Sequence, residues 1–279
     1  MRISDERDDT GKPIPLYPLD GLDGLRRAGR LAAATLDYIA PHVQPGVSTA
    51  ALDRLLEAFM RDHGAVPATI GYRGYRHASC ISVNHVVTHG IPDDSKRLAP
   101  GDIVNVDVTP ILDGWYGDSS RMFVAGGWAA APVKAQRLVT LTHRAMMAGI
   151  AAVRPGARLG DVGHAIETLA RQERLSVVRD FCGHGIGRVF HDAPQVVHYG
   201  RPGTGPALLP GMVFTIEPML NLGRPEVKVL ADGWTAVTRD RSLSAQFEHT
   251  VVVTEDGFEI TTLSPQGWHC PPYPLEAAA

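Results

Sequence analysis

Leu98-Ala99-Pro100-Gly101-Asp102-Ile103-Val104-Asn105-Val106-Asp107 and Leu208-Leu209-Pro210-Gly211-Met212-Val213-Phe214-Thr215-Ile216-Glu217 are two versions of one segment, set 110 positions apart. Each contains a Pro-Gly turn signal, continues as an apolar run of strand length, and ends on a carboxylate, so Asp107 falls on Glu217. The repeat extends outward. Pro45-Gly46 precedes Leu52, Leu55, Leu56 and Phe59, and Pro155-Gly156 precedes Val162, Ala165, Ile166 and Leu169 at the same offset. Apolar residues spaced by three and four predict a helix in both copies. Another helical stretch precedes each Pro-Gly, roughly over 25–39 and 135–152. Neither half could cover its strands alone. The expected fold is therefore α+β and pseudo-twofold: an internal antiparallel sheet covered by helices, one domain over 21–263 with halves at about 25–134 and 135–263.

Residues 1–20 are polar and proline-bearing and read as a flexible arm. Pro15-Leu16-Tyr17-Pro18 matches a PxxP ligand pattern, but so short a motif is commoner as plain linker. Residues 264–279, with Pro271, Pro272 and Pro274, read as an irregular tail.

Composition excludes several classes. Of 279 residues, 44% are hydrophobic, and 27 Lys and Arg face 30 Asp and Glu for a formal charge of −3. A nearly neutral chain has no general attraction to nucleic acid or anionic membranes, so neither is expected as a partner. Cys80, Cys182 and Cys270 form no CxxC pair, which suits reduced thiols in a cytoplasm better than a disulfide scaffold. The acidic start lacks the apolar region of a signal peptide, and no apolar run approaches the roughly 20 residues of a membrane span.

The chemistry lies in the carboxylates. Asp113-Gly114 separates two strand-like runs and is a two-residue hairpin signal. With that turn, Asp107 lies across from Ser120 and Asp118 across from Thr109. The two aspartates then share a face as diagonal neighbours, with Cα atoms roughly 7–8 Å apart. Pro110 within the first run could introduce a bulge and alter this register. In the second half, alternation along Phe247-Glu248-His249-Thr250-Val251 sends Glu248 and His249 to opposite faces, and the repeat matches Glu248 to Asp118. A pair of aspartates alone is a solvated edge hairpin as readily as a site. Four converging carboxylates are different: buried, they need roughly four compensating charges, which two divalent cations supply. Oxygen donors favour Mn, Fe or Co, with Zn admitted if imidazole joins. Imidazole is available in Gly183-His184-Gly185-Ile186-Gly187, in Phe190-His191, and in His89-Gly90-Ile91-Pro92, whose His-Gly-Ile echoes the first of these. No P-loop, nucleophile elbow or dinucleotide fingerprint is present.

Taken together, Asn84-His85-Val86-Val87-Thr88-His89-Gly90-Ile91-Pro92, Asn105-Val106-Asp107-Val108-Thr109 with Gly117-Asp118-Ser119-Ser120, Gly183-His184-Gly185-Ile186-Gly187, Phe190-His191, Phe214-Thr215-Ile216-Glu217-Pro218-Met219 and Glu248-His249-Thr250 resemble the type I methionine aminopeptidases, over about residues 25–263. The resemblance implies the "pita-bread" fold and two divalent metal ions held by Asp107, Asp118, His184, Glu217 and Glu248, with Asp118 and Glu248 bridging. It implies substrate contacts from His89, His191, Thr69, Tyr72, Tyr75, Cys80, Phe190 and Trp234. Removal of an N-terminal methionine ahead of a small second residue is the implied reaction. Glu217 would shuttle a proton, His191 would stabilise the oxyanion and His89 would hold the scissile nitrogen. The implied setting is a cytoplasmic monomer acting on nascent chains near the ribosome exit. Thr69 and Thr88 depart from the cysteines of many bacterial relatives, which bears on pocket shape and not on metal binding. Aminopeptidase P and prolidase use a near-identical ligand set, and a non-catalytic relative would serve as a binding module; such a module is expected to lose ligands, and none is lost here.

Overall fold

The structure is a computed structural model that describes residues 1–274. Among the described residues the four α-helices are α1 (Asp23–Ile39), α2 (Thr49–Asp62), α3 (Val133–Ala151) and α4 (Leu159–Gln172), so α3 and α4 begin 110 positions after α1 and α2 (133 − 23 and 159 − 49). Helix α2 starts where the Ser48 hydroxyl accepts the Ala51 N–H at 3.1 Å, and α4 where Asp161 accepts the Arg158 N–H at 2.8 Å. Of the stripe that the spacing predicts, Leu52 and Leu56 on α2 and Val162 and Ile166 on α4 are fully buried, Leu55, Phe59, Ala165 and Leu169 are half-buried at its edge, and Met60 and Ala170 complete the buried face.

In the first half, Ser79–Val83, Ile103–Val108 and Ser119–Val124 form an antiparallel sheet in that order. In the second, Val213–Ile216 lies between Gly183–Gly185 and His249–Val253, with Asp192–Val196 and Phe258–Ile260 outside. Helices α1 and α2 share one apolar core with the first sheet, and α3 and α4 share another with the second. The sheets meet at one bridge, where the Glu248 N–H donates to Ser120 O at 3.1 Å. The Ser119 hydroxyl reinforces it on Glu248 O, and the Thr250 hydroxyl on Asp118 O, both at 2.8 Å. The seam between the halves therefore runs through the two residues that the repeat superposes.

Asp107 pairs with Ser120 as expected, and Leu112 pairs with Trp115 around a turn with φ +52° at Asp113 and +74° at Gly114. Both pairs have the same sum of residue numbers, so Pro110 introduces no register shift. What it does is end the pairing with the first sheet. Pro110–Leu112 turns away to pair with Val66–Pro67.

One expectation is corrected. Residues 1–20 are no flexible arm: Arg2–Arg7 and Pro13–Leu16 form an antiparallel hairpin, and Ile14, Leu16 and Tyr17 are buried. Polar residues 1–13 obscured an apolar end that inserts into the domain. The same burial removes the PxxP motif as an accessible ligand. The tail from Ser264 has no helix or strand among the described residues, as expected, but it is docked. The Ser264 hydroxyl donates to Asp37 at 2.8 Å, and the Arg121 guanidinium, paired with Asp37, lies 5.5 Å from the Tyr273 ring centre. Residues 275–279 lie outside the described residues. Among those described, no helix is long and apolar enough to cross a membrane.

Candidate metal centre

His184 reaches the site on a strand that only glycine can flank. A Cβ on Gly183 would lie 2.3 Å from Thr215 O, and one on Gly185 would lie 1.9 Å from Ala193 O, so the strand fits between its two neighbours only without side chains there. Gly117 has the same function before Asp118, since its Cβ would meet Ala28 O of α1 at 2.2 Å. The His184 Nδ1 lies 3.2 Å from Gly185 O, which leaves Nε2 facing the carboxylates, 3.6 Å from Asp118 Oδ2 and 3.7 Å from Glu217 Oε1. Ligand atoms of Asp118, His184 and Glu248 all lie within 4.8 Å of one another.

Hydroxyls orient the carboxylates. Thr109 donates to Asp118 Oδ1 at 2.8 Å. Thr215 donates to Glu217 Oε1 at 2.9 Å while accepting the His184 N–H at 3.0 Å, so one side chain ties two of the candidate ligands together. Gln246 reaches Glu217 Oε2 at 3.2 Å, and the Glu217 N–H donates to Nε2 of the wholly buried His198 at 3.1 Å.

Electrostatically the protein alone does not balance this cluster. Burial, then the neighbouring carboxylates, push Asp107, Glu217 and Glu248 well above the usual range, and burial raises Asp118 to about 7. Burial lowers His184 to about 4, so it is no counter-charge at neutral pH. Among the described residues no Lys or Arg pairs with any of the four. Four carboxylates, Asp118 and Glu248 buried and Asp107 and Glu217 half-buried at the cavity, and a neutral imidazole with a free Nε2 are a donor set for divalent cations, which fits the group the sequence implies.

These five residues form the floor of a cavity of about 610 Å³, and every substrate-contact residue named from the sequence lines it: Thr69, Tyr72, Tyr75, Cys80, His89, Phe190, His191 and Trp234. The aromatic wall is interlocked. Tyr72 meets Phe190 edge-on at 5.1 Å, and Tyr75 meets Trp234 edge-on at 4.9 Å. Asp232 accepts the backbone N–H of both Trp234 and Thr235 at 2.9 Å, fixing the turn that carries Trp234. His89 has φ +55°, a strained conformation for a non-glycine, and is set edge-on against Phe181. Burial lowers His89 to about 4 and His191 to about 3, so both rings are neutral at neutral pH. His249 points away from the cavity, with Nδ1 2.8 Å from the Thr262 hydroxyl, as strand alternation predicts.

Arg73, Thr88, Thr109, Asp180, Phe181, Cys182, Met219 and Gly233 also line the cavity. Of these, Thr109 was within reach of the sequence, because the hairpin register already set it opposite Asp118. Cys182 had a subtler signal. Cys80 pairs with Asp107, and the register that pairs Gly185 with Phe214 sets Cys182 opposite Glu217. The two thiols are equivalent, but 102 positions apart (182 − 80), so a search at the main offset misses them. The His-Gly-Ile echo is the reverse case. His184 lies beside Val213–Ile216, whereas His89 follows Val86–Thr88, which pairs across to Ala236–Thr238 in the other half. The matching tripeptides do not occupy equivalent places.

Residues 23–255 match the model of metallopeptidase family M24, and the chain belongs to that family. More particularly, it is 56% identical over 250 residues to a methionine aminopeptidase of Rickettsia prowazekii, covering 89% of this chain and 95% of that one. The crystal structure of methionine aminopeptidase from that organism matches with a TM-score of 0.87 and 54% identity, over 90% of this chain and all of that one. That of methionine aminopeptidase from Thermotoga maritima matches with a TM-score of 0.86 and 38% identity, over 89% and 99% of the two chains. These neighbours have the pseudo-symmetric fold that the repeat predicts, and the family and the cluster together establish use of divalent metal.

Proposed function

We propose that the protein is a methionine aminopeptidase that removes the N-terminal methionine of peptides and nascent chains whose second residue is small. The observation that carries this reading is the joining of an uncompensated five-ligand cluster to an open cavity walled by Tyr72, Tyr75, Phe190 and Trp234. Asp107, Asp118, His184, Glu217 and Glu248 are the ligands, for two ions drawn from Mn, Fe, Co and Zn. When bound, the ions activate water near neutral pH and polarise the scissile carbonyl.

The remaining work falls to the chain itself. Tyr72, Tyr75, Phe190 and Trp234, with Cys80 and Thr69, take up the methionine side chain against their apolar faces. His89, neutral and held by its strained backbone, positions the scissile nitrogen through one ring nitrogen. His191 donates a hydrogen bond to the oxygen that gains charge in the transition state. Glu217, whose two oxygens are oriented by Thr215 and Gln246, moves a proton from water to the leaving amine. The setting we propose is a cytoplasmic monomer meeting nascent chains near the ribosome exit.

A substrate pair tests this reading against the proline-directed peptidases that use a similar ligand set. Metal-loaded protein is expected to release methionine from Met-Ala-Ser and to leave Ala-Pro intact. Cleavage of Ala-Pro without release of methionine overturns it.

A further inference from the structure

The stretch that matches the family begins at residue 23, yet the hairpin before it reaches the loop that carries Phe190 and His191. That loop lies between the strands Gly183–Gly185 and Asp192–Val196, and Val189 at its outer side is 48% exposed, so water covers one flank. On the other flank sits Tyr17. Its hydroxyl accepts the Arg188 N–H at 3.1 Å, three residues before His191. Its ring packs on Trp115 with centres 5.5 Å apart, and the Arg188 guanidinium lies over Trp115 at 4.2 Å while donating to Asp113 O at 2.8 Å. The seat is shaped for this residue: at Gly187, φ +152°, a Cβ would lie 2.5 Å from the Tyr17 hydroxyl. One residue past His191, Asp192 is paired with Lys12 at 2.6 Å.

The hairpin is itself fixed, and so can transmit that position. The Tyr17 N–H donates to Gly211 O at 2.8 Å, Glu6 accepts the Ala207 N–H at 2.9 Å, and Ile14 and Leu16 are anchored in the main core. We propose that the N-terminal hairpin braces the Phe190–His191 loop, with Tyr17 as a positioning residue for His191 and Lys12 as the outer anchor. This rests on the aminopeptidase reading above. The brace acts in the reaction because a side chain that meets a developing charge must be held to within fractions of an ångström, and a half-exposed loop does not hold itself.

The test is Tyr17→Phe, which keeps the ring and removes only the acceptor, alongside Lys12→Ala and the conservative Lys12→Arg. In Tyr17→Phe, kcat on Met-Ala-Ser is expected to fall about 3- to 10-fold, the size of one net hydrogen bond, with KM within about twofold. Metal content is expected to match wild type, Tm to fall by no more than about 4 °C, and hydrogen exchange over residues 188–192 to quicken by about the same factor. Lys12→Ala is expected to lower kcat by about twofold or less, the size of an exposed ion pair, and Lys12→Arg to restore it. Unchanged exchange in Tyr17→Phe overturns the brace. Faster exchange with unchanged kcat, or a kcat loss accounted for by lost metal or a larger fall in Tm, overturns the positioning role. Because exchange is read without substrate, a wild type that releases no methionine defeats the aminopeptidase reading and leaves the brace to be judged by exchange alone.

Discussion

In the first half of the molecule the strand beside Asp107 carries Cys80 and Ser82, whereas in the second half His184 lies on the strand paired with Val213–Ile216, just before Glu217, and Cys182 immediately precedes that strand. The thiols match, at an offset of 102 positions, and Ser82 matches His184 at the same offset (182 − 80 and 184 − 82). Ser82 looks inward and accepts the Gly90 N–H at 3.1 Å, holding the turn behind His89, while His184 turns its Nε2 to the carboxylates. The carboxylates come in repeat-related pairs and the imidazole comes from one half only. Symmetry supplies the paired carboxylates, and its breaking supplies one nitrogen donor and, from the first half, a cavity-lining His89.

The largest expected effect comes from breaking the seam, where both halves share the work. Asp118→Asn should lower kcat/KM on Met-Ala-Ser by about a thousandfold or more, because it removes a carboxylate from the candidate metal cluster. The metal-free variant should nevertheless melt above the metal-free wild type in thermal scans, since one of four crowded, desolvated carboxylates is gone. Next, His184→Ser gives the second half the first half's residue. Calorimetric titration should show metal affinity weakened by at least about 100-fold, more than losing a residue that only orients a ligand.

A pH series sharpens the comparison further. Asp118 titrates near 7 in the folded metal-free protein and near 4 when unfolded, so the folded state binds the proton more tightly. Its contribution is present at low pH and is lost as pH rises through about 7. The buried histidines oppose this, because His184 at about 4 and His198 at about 3 are lowered by burial and cost stability as pH falls below about 6.5. Between about pH 6.5 and 8 only the carboxylate loss remains. The metal-free protein should therefore lose stability across that window, and the rise in Tm on adding metal should be larger at pH 8 than at pH 6.5.

Smaller effects come from the residues around the ligands. Thr215→Val removes the hydroxyl that joins Glu217 to His184, and metal affinity should weaken about tenfold. The tail offers a control distant from the chemistry. Ser264→Ala leaves buried Asp37 short of one donor and should cost about 1 kcal/mol in denaturant unfolding, with kcat unchanged.

How much of this the sequence reveals depends on whether the signal is local. The helices, the hairpin and the four carboxylates are legible because each depends on spacing within one segment and is then doubled by the repeat. Cys182 escapes because the connections before Gly183–Gly185 differ in length from those before Ser79–Val83, which changes the offset. The N-terminal hairpin escapes because its polar first strand masks Ile14, Leu16 and Tyr17, whose burial is set by surfaces some 170 to 200 residues away, such as Arg188 for Tyr17 (188 − 17) and Ala207 for Glu6 (207 − 6). No window along the chain contains that information.

The central claim is that the chain binds divalent metal through both halves at once and cannot act without it. Titrating exhaustively chelated protein with Mn²⁺ under anaerobic conditions, while following methionine release from Met-Ala-Ser, tests it most directly. The account predicts no release before metal is added, activity that rises with metal, and saturation at no more than two ions per chain. Full activity in the chelated protein, or binding of two ions with no methionine released, would contradict it.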